Sequence, residues 1–231
     1  MENLEKLLQF GLSRVEASVY LCLHQRGALT GYEASKLTGI SRSNIYGALN
    51  GLVEKGAAWL EEGASTRYIA VPIQEFLDNR MASLEKYRSF LIENIPKQEK
   101  IQDGYISIQG AENIRDKFRQ MVRDSALRLY LSAPADIVDS FQSELKAASE
   151  RGVKIILISD LAECEFVDKL LQDEIEPGQI RLITDSSSVL TGDLYGKASD
   201  TCLFSGKENL VRIMKEALRN KIILLEMRIN K

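Results

Sequence analysis

Ile45, Leu49 and Leu52 fall at i, i+4 and i+7, one apolar stripe on a helix of 3.6-residue period. Ser43, Gly47 and Asn50 turn away from that stripe, with Asn44 and Tyr46 on its flanks. Helix starts are marked at Ser13-Arg14-Val15-Glu16 and Thr30-Gly31-Tyr32-Glu33, two capping boxes, and at Ser41, a third N-cap residue. Gly27 ends one helix and Thr38-Gly39-Ile40 turns between two others. The pattern predicts helices over 13–26, 30–37 and 41–55, with a short one over 2–9. The last two of the three, joined by a glycine-containing turn, have the layout of a helix-turn-helix. Strands follow over 57–61 and 66–71, separated by Glu62-Gly63-Ala64-Ser65. A helix-turn-helix followed at once by a hairpin is a winged helix.

Pro72 opens a helical stretch from Ile73 to about Ile95, before Pro96. Leu77, Met81, Leu84 and Leu91 recur at coiled-coil spacing, with Arg88 in the polar slot. At 1.5 Å per residue this helix is about 35 Å long, comparable to the ~34 Å between successive major grooves on one DNA face. It predicts self-association along that seam. The charged run 97–103 reads as a linker.

From Tyr105 the pattern changes to short apolar runs at 105–109, 127–132, 153–159 and 180–184, alternating with helical periods at 112–124 and 137–150. That alternation predicts an α/β sheet with a substantial parallel part. Residues 189–194 and 201–204 suit a strand pair, 208–218 a helix, and 222–229 either a continuation of that helix, which is favoured, or a last strand. The expected organisation is a winged helix over 1–72, a linker and dimerisation helix over 73–104, and an α/β sensor or dimerisation domain over 105–231.

Charge changes the picture of the first domain. The whole chain carries a formal charge of -3, and seven Lys/Arg balance seven Asp/Glu within residues 1–72. DNA binding must therefore rest on where a few cations sit, because a bulk positive field is absent. The expected DNA-contacting set is Lys36, Ser41, Arg42, Ser43, Asn44, Tyr46, Asn50 and Arg67. Cys22, Cys164 and Cys202 are scattered and lack a C-x-x-C pair, the usage of reduced cytosolic thiols. No apolar run approaches the ~18 residues that span a membrane, and the start has no signal-peptide layout, so a cytoplasmic chain is expected.

Chemistry in the second domain is constrained by His24, the chain's single histidine, which lies in the first. A Ser-His-Asp or Cys-His arrangement is therefore excluded there. The phosphate-loop and dinucleotide-loop glycine motifs are absent too. No cofactor is expected.

Phe10-Gly11-Leu12-Ser13, Glu16-Ala17 and Tyr20-Leu21 resemble the opening of the TrmB-like transcriptional regulators. Ser41-Arg42-Ser43-Asn44-Ile45-Tyr46, with Leu49 and Leu52 through Gly56, is similar to their recognition-helix signature, and Arg67-Tyr68-Ile69-Ala70-Val71-Pro72 to the wing's return strand. The acidic wing start Glu61-Glu62 departs from a wing that grips phosphate. Beyond residue 105 the resemblance rests on Gln109–Ile114, Tyr130–Ala133 and Arg151–Ile155, and implies a phospholipase-D-like α/β domain. In that register Asp193 and Tyr195 occupy the His and Lys slots of the catalytic signature, ahead of Asp200, with Asn209 beyond. A carboxylate forms no phosphohistidine and tyrosine supplies no cation, so the resemblance implies a catalytically degenerate domain.

These readings converge on a homodimeric regulator that binds double-stranded DNA. The competing readings are a phosphodiesterase or nuclease with an unorthodox site, and a protein-docking module. Open α/β sheets keep a crevice at the carboxyl ends of their strands. Ser132, Asp160 and Ser186 are the expected ligand positions there, for a small effector that is a sugar or an anion.

Overall fold

The computed structural model describes residues 2–63, 65–96 and 104–229. It divides into two compact units, Met1–Lys97 and Gln98–Lys231. The predicted linker over 97–103 lies outside the described residues.

In the first unit α1 (Glu2–Gln9), α2 (Arg14–Arg26), α3 (Gly31–Thr38) and α4 (Arg42–Glu54) precede a hairpin of β2 (Ala58–Glu61) and β3 (Arg67–Ala70). A two-residue strand, β1 (Leu29–Thr30), completes an antiparallel sheet in the order β1-β3-β2. Two residues are too few to leave a period, which is why the sequence gives no sign of β1. The capping boxes form as expected. Ser13 Oγ accepts from Glu16 N–H at 3.2 Å while Glu16 accepts from Ser13 N–H at 2.6 Å. Thr30 and Glu33 do the same at 3.2 and 2.8 Å. Ser41 does not cap α4: its hydroxyl lies 3.3 Å from Ser43 Oγ and accepts from no amide. The third residue of α4 is Asn44, so the glutamate that would close a box is missing.

Ile45, Leu49 and Leu52 are fully buried, packed with Tyr20, Leu23 and Phe76 in one core. Tyr20 fastens that core to the end of the hairpin by donating its phenol to Val71 O at 2.9 Å.

Glu16 has a second task. Its carboxylate takes Lys55 Nζ at 2.6 Å, and the same ammonium donates to Gly11 O at 3.0 Å, tying the start of α2 to the end of α4. A Cβ on Gly51 would overlap Glu16 Oε1, so glycine in the middle of α4 makes room for this pair. Burial alone would raise the Glu16 carboxyl, but bonds from Lys55 and Ser13 outweigh it and hold the group below its usual range. Its contribution is therefore present above the unfolded carboxylate pKa of about 4.3 and lost as pH falls through the lower folded value. Glu16→Gln keeps the capping box and removes the charge. It should cost about 1 kcal/mol at pH 7, less than a fully buried pair, because Lys55 is 39% exposed and rehydrates. Denaturant unfolding should show the difference shrinking as pH falls below about 4.3.

Helix α5 (Ile73–Asn94) buries only Phe76, in its first turn. Met81, Leu84, Tyr87, Phe90, Leu91 and Ile92 are exposed along the rest.

The second unit runs β4 (Tyr105–Gln109), α6 (Ala111–Asp124), β5 (Arg128–Ser132), α7 (Ala135–Ser140), α8 (Gln142–Glu150), β6 (Lys154–Ser159), β7 (Lys169–Gln172), β8 (Gln179–Thr184), β9 (Ser188–Asp193), β10 (Thr201–Ser205) and α9 (Glu208–Ile229). The seven strands form one sheet in the order β4-β10-β9-β8-β5-β6-β7. Only β5-β6 and β6-β7 pair in parallel, so the expected large parallel part is a minority of the sheet. Short connections are the cause: β8, β9 and β10 follow one another with too little chain for a crossover, and such neighbours pair antiparallel. The helix expected over 137–150 is broken at Phe141, whose backbone (φ -121°) leaves the helix while its ring stacks on Phe118 at 3.9 Å between centroids. Strand β7 went unpredicted, being only four residues long. The tail 222–229 continues α9 as helix, the favoured expectation.

Strand alternation sorts the two faces. Leu129, Leu131, Leu157 and Leu182 pack under α6, α7 and α8. Ile158, Ile183 and Val189 face Val211, Leu218 and Leu225 of α9.

Candidate nucleic-acid interface

The burial of Ile45, Ala48, Leu49 and Leu52 fixes which way α4 faces. Ser43, Asn44, Gly47 and Asn50 are exposed on its outer side, with Ser41 and Arg42 exposed at its start. Lys36 on α3 and Arg67 on β3 are exposed as well. This outer surface is small, polar and nearly free of charge along α4, with cations at its margins. Side chains of these types reach base edges and phosphates. The absent cap at Ser41 leaves the first-turn amides of α4 without a side-chain partner, where the helix dipole favours an anion.

Two of the expected residues do more than face outward. Tyr46 is half-exposed, with its ring laid against Gly31 at the start of α3, where an added Cβ would overlap Tyr46 Cε1. Arg42, one turn earlier, holds its guanidinium 5.0 Å from the Tyr32 ring centroid. Both therefore brace α4 against α3 as well as bordering the outer face. Gly31→Ala should cost about 1 kcal/mol by overpacking, read from denaturant unfolding, and adding Tyr46→Ala should abolish that cost. An equal penalty in the presence of Tyr46→Ala would rule out this contact as its origin. Tyr32 was not among the sequence candidates; its signal is the i, i+2 step from a helix N-cap that puts an exposed ring at the start of α3.

Arg67 reaches Ala28 O at 3.4 Å. It also adds to the hydrogen bonds from Thr30 that hold Glu33 below its usual range. The wing itself exposes Trp59, Leu60, Glu61 and Glu62, so its outward strand is apolar then acidic.

In the second unit Ser132 and Asp160 lie together at the carboxyl ends of the parallel strands β5 and β6. Asp160 accepts from Ala135 N–H at 2.7 Å, and the buried Ser132 hydroxyl has no hydrogen-bond partner among the described residues. Ser186 is not with them. Strand β8 runs antiparallel to β5, pairing Thr184 with Leu129 and Arg181 with Ser132, so the turn after β8 sits at the opposite end. The expected three-residue site is corrected to two separate places. Asp200 accepts from Gly196 and Lys197 N–H at 2.8 and 3.0 Å, closing the loop that follows β9. Among the described residues no group of three His, Cys, Asp or Glu is placed to hold a metal ion, and no helix is long and apolar enough to cross a membrane.

A winged helix carrying a polar recognition face, followed by a separate α/β unit, is the build of a two-part DNA-binding regulator. Comparison with known families agrees. The sugar-specific transcriptional regulator TrmB family matches residues 7–74, and the family of the TrmB EBD N-terminal subdomain matches residues 105–193. The chain belongs to the TrmB-like family and is a DNA-binding transcriptional regulator. It is 25% identical over 97% of its length to the uncharacterized protein YrhO of Bacillus subtilis, covering 86% of that protein. It is 28% identical over 70% of its length to the HTH-type sugar sensing transcriptional regulator TrmBL1 of Pyrococcus furiosus, and spans about half (48%) of that longer protein. Among solved structures, the archaeal chromatin protein TrmBL2 aligns with 95% of this chain and 96% of its own at 19% identity and a TM-score of 0.46.

Proposed function

We propose that this regulator binds specific double-stranded sites as a homodimer, with α4 in the major groove and the two copies paired along α5. The observation that carries the DNA reading is the opposition on α4 itself: a stripe buried in its own core, and behind it Ser43, Asn44, Gly47 and Asn50 exposed. A helix whose outer face is neither apolar nor densely charged fits a groove better than it fits a protein partner. Lys36, Arg42 and Arg67 supply phosphate contacts around it, and the acidic wing start keeps the wing tip out of the phosphate role. The exposed apolar length of α5 supports the pairing.

The second unit senses a small effector, a sugar or an anion, and does not catalyse. Supporting this, the only histidine is His24, an exposed residue of α2 in the other unit. Asp193 and Tyr195 bring neither a nucleophilic imidazole nor a cation, and Asp200 is occupied with backbone amides. We place the protein in the cytoplasm with its DNA target. Selection of bound sequences from a random duplex pool, followed by titration of the best site, tests the reading. Enrichment of a motif with two related half-sites is expected; retention without sequence enrichment would defeat it. Hydrolysis of a phosphodiester substrate that disappears in Asp193→Asn would defeat the non-catalytic part.

A further inference from the structure

A cavity of about 570 Å³ lies between the sheet and α9, within the size range of small-molecule sites. Its sheet wall is one continuous row: Ile183 of β8 pairs with Tyr130 of β5, which pairs with Ile156 of β6. Val211, Leu218 and Ile222 of α9 form the facing wall. An apolar chamber of this size gains from an apolar occupant.

The mouth has a different chemistry. Arg212, Lys215 and Arg219, at i, i+3 and i+7, bring three cations from one face of α9 to the cavity. Glu208 and Glu216 line it too, leaving an excess of one positive charge. Among the described residues, none of these five charged side chains is in an ion pair or a hydrogen bond. Further along the same helix the charges are committed: Lys221 pairs with Asp173 at 2.8 Å, and Glu226 with Lys169. Helix α9 is thus fastened to the β7 side by its last turns, while its earlier cations stand uncommitted over the chamber. Ser186, held in the left-handed region at φ 56°, and the Tyr130 ring complete the lining.

We propose that this cavity is a binding site for a small amphipathic anion: an apolar chain or ring in the chamber, and a carboxylate or phosphate head on Arg212, Lys215 and Arg219. Guanidinium groups bind either head with paired hydrogen bonds. The proposal sharpens the effector reading above and rests on it for regulatory meaning, although the site stands on its own geometry. A neutral sugar leaves the cations unanswered and the apolar walls wet, so this cavity selects against it.

Calorimetric titration of the full chain with octanoate and with octyl phosphate tests the site, with octan-1-ol and maltose as uncharged controls. Both anions should bind, and whichever is tighter names the head group. Hexanoate should be weaker than octanoate by about fifteenfold, which is 0.8 kcal/mol per methylene. The exposed pair R212A/R219A should fold as wild type and lose at least tenfold, and I156F, which fills the chamber, should lose binding independently. The proposal is overturned if neither anion binds at millimolar concentration, if octan-1-ol matches octanoate, or if R212A/R219A leaves affinity unchanged. Titration of the selected DNA site with and without octanoate separates the two readings. A shift supports both, whereas octanoate binding that leaves DNA affinity unaltered upholds the site and refutes its effector role.

Discussion

Leu84→Asp in α5 should convert the protein from dimer to monomer. Leu77, Met81, Leu84 and Leu91 follow one seam of α5, and all but Leu77 are exposed in the single chain. An aspartate introduced there leaves unit 1 intact, because Leu84 has no place in its core. In a paired seam the same carboxylate is desolvated twice, once from each copy, at a cost of several kcal/mol. Sedimentation equilibrium should report a dimer for wild type and for the near-isosteric Leu84→Met, and a monomer for Leu84→Asp. A Leu84→Asp dimer of unchanged strength would remove α5 from the interface. DNA affinity should fall with the loss of dimerisation, since each copy would then hold a single half-site.

The second large effect is expected on α4. Asn50→Ala should lose roughly 1–3 kcal/mol on the best site and relax preference at one base position, because asparagine reads an adenine edge through two hydrogen bonds. Arg42→Ala should instead weaken all sequences alike and flatten the salt dependence by about one unit. Arg67→Ala should act in the same direction. The two arginines differ in their starting condition: Arg42 is preset over Tyr32, while Arg67 spends part of its reach on Ala28 O. Fluorescence anisotropy across a salt series distinguishes the two kinds of loss. Salt slopes equal to wild type in both arginine variants would mean that neither touches phosphate.

The winged helix was legible because its signals are local. Capping boxes at Ser13 and Thr30, the stripe Ile45-Leu49-Leu52 and the turn 62–65 each depend on neighbours within a few residues. The sheet of the second unit was legible only as a set of strands. Its order and direction are set by which connections are too short to cross over, and that information is spread over 100 residues. The break at Phe141 was hidden for a related reason: the helical period around it continues, and the Phe118 ring on which it stacks belongs to another helix. The separation of Ser186 from Ser132 and Asp160 follows from the same antiparallel β8 that no local pattern announces. Sequence spacing puts Tyr46 on the flank of the outer face but does not show the empty space above Gly31 into which its ring folds. The cavity under α9 was equally invisible, being formed by three strands and a helix that meet only in the fold.

The unmade cap at Ser41 has a kinetic consequence. Helix α4 begins with amides that no side chain completes, so its first turn should exchange hydrogen with solvent faster than those of α2 and α3, which are capped by Ser13 and Thr30. A phosphate placed at that turn would finish the helix as well as bind it. On the proposed reading, recognition and the last step of folding become one event at Arg42, Ser43 and Asn44, and the slowing of their exchange on DNA would measure how fully that turn is closed.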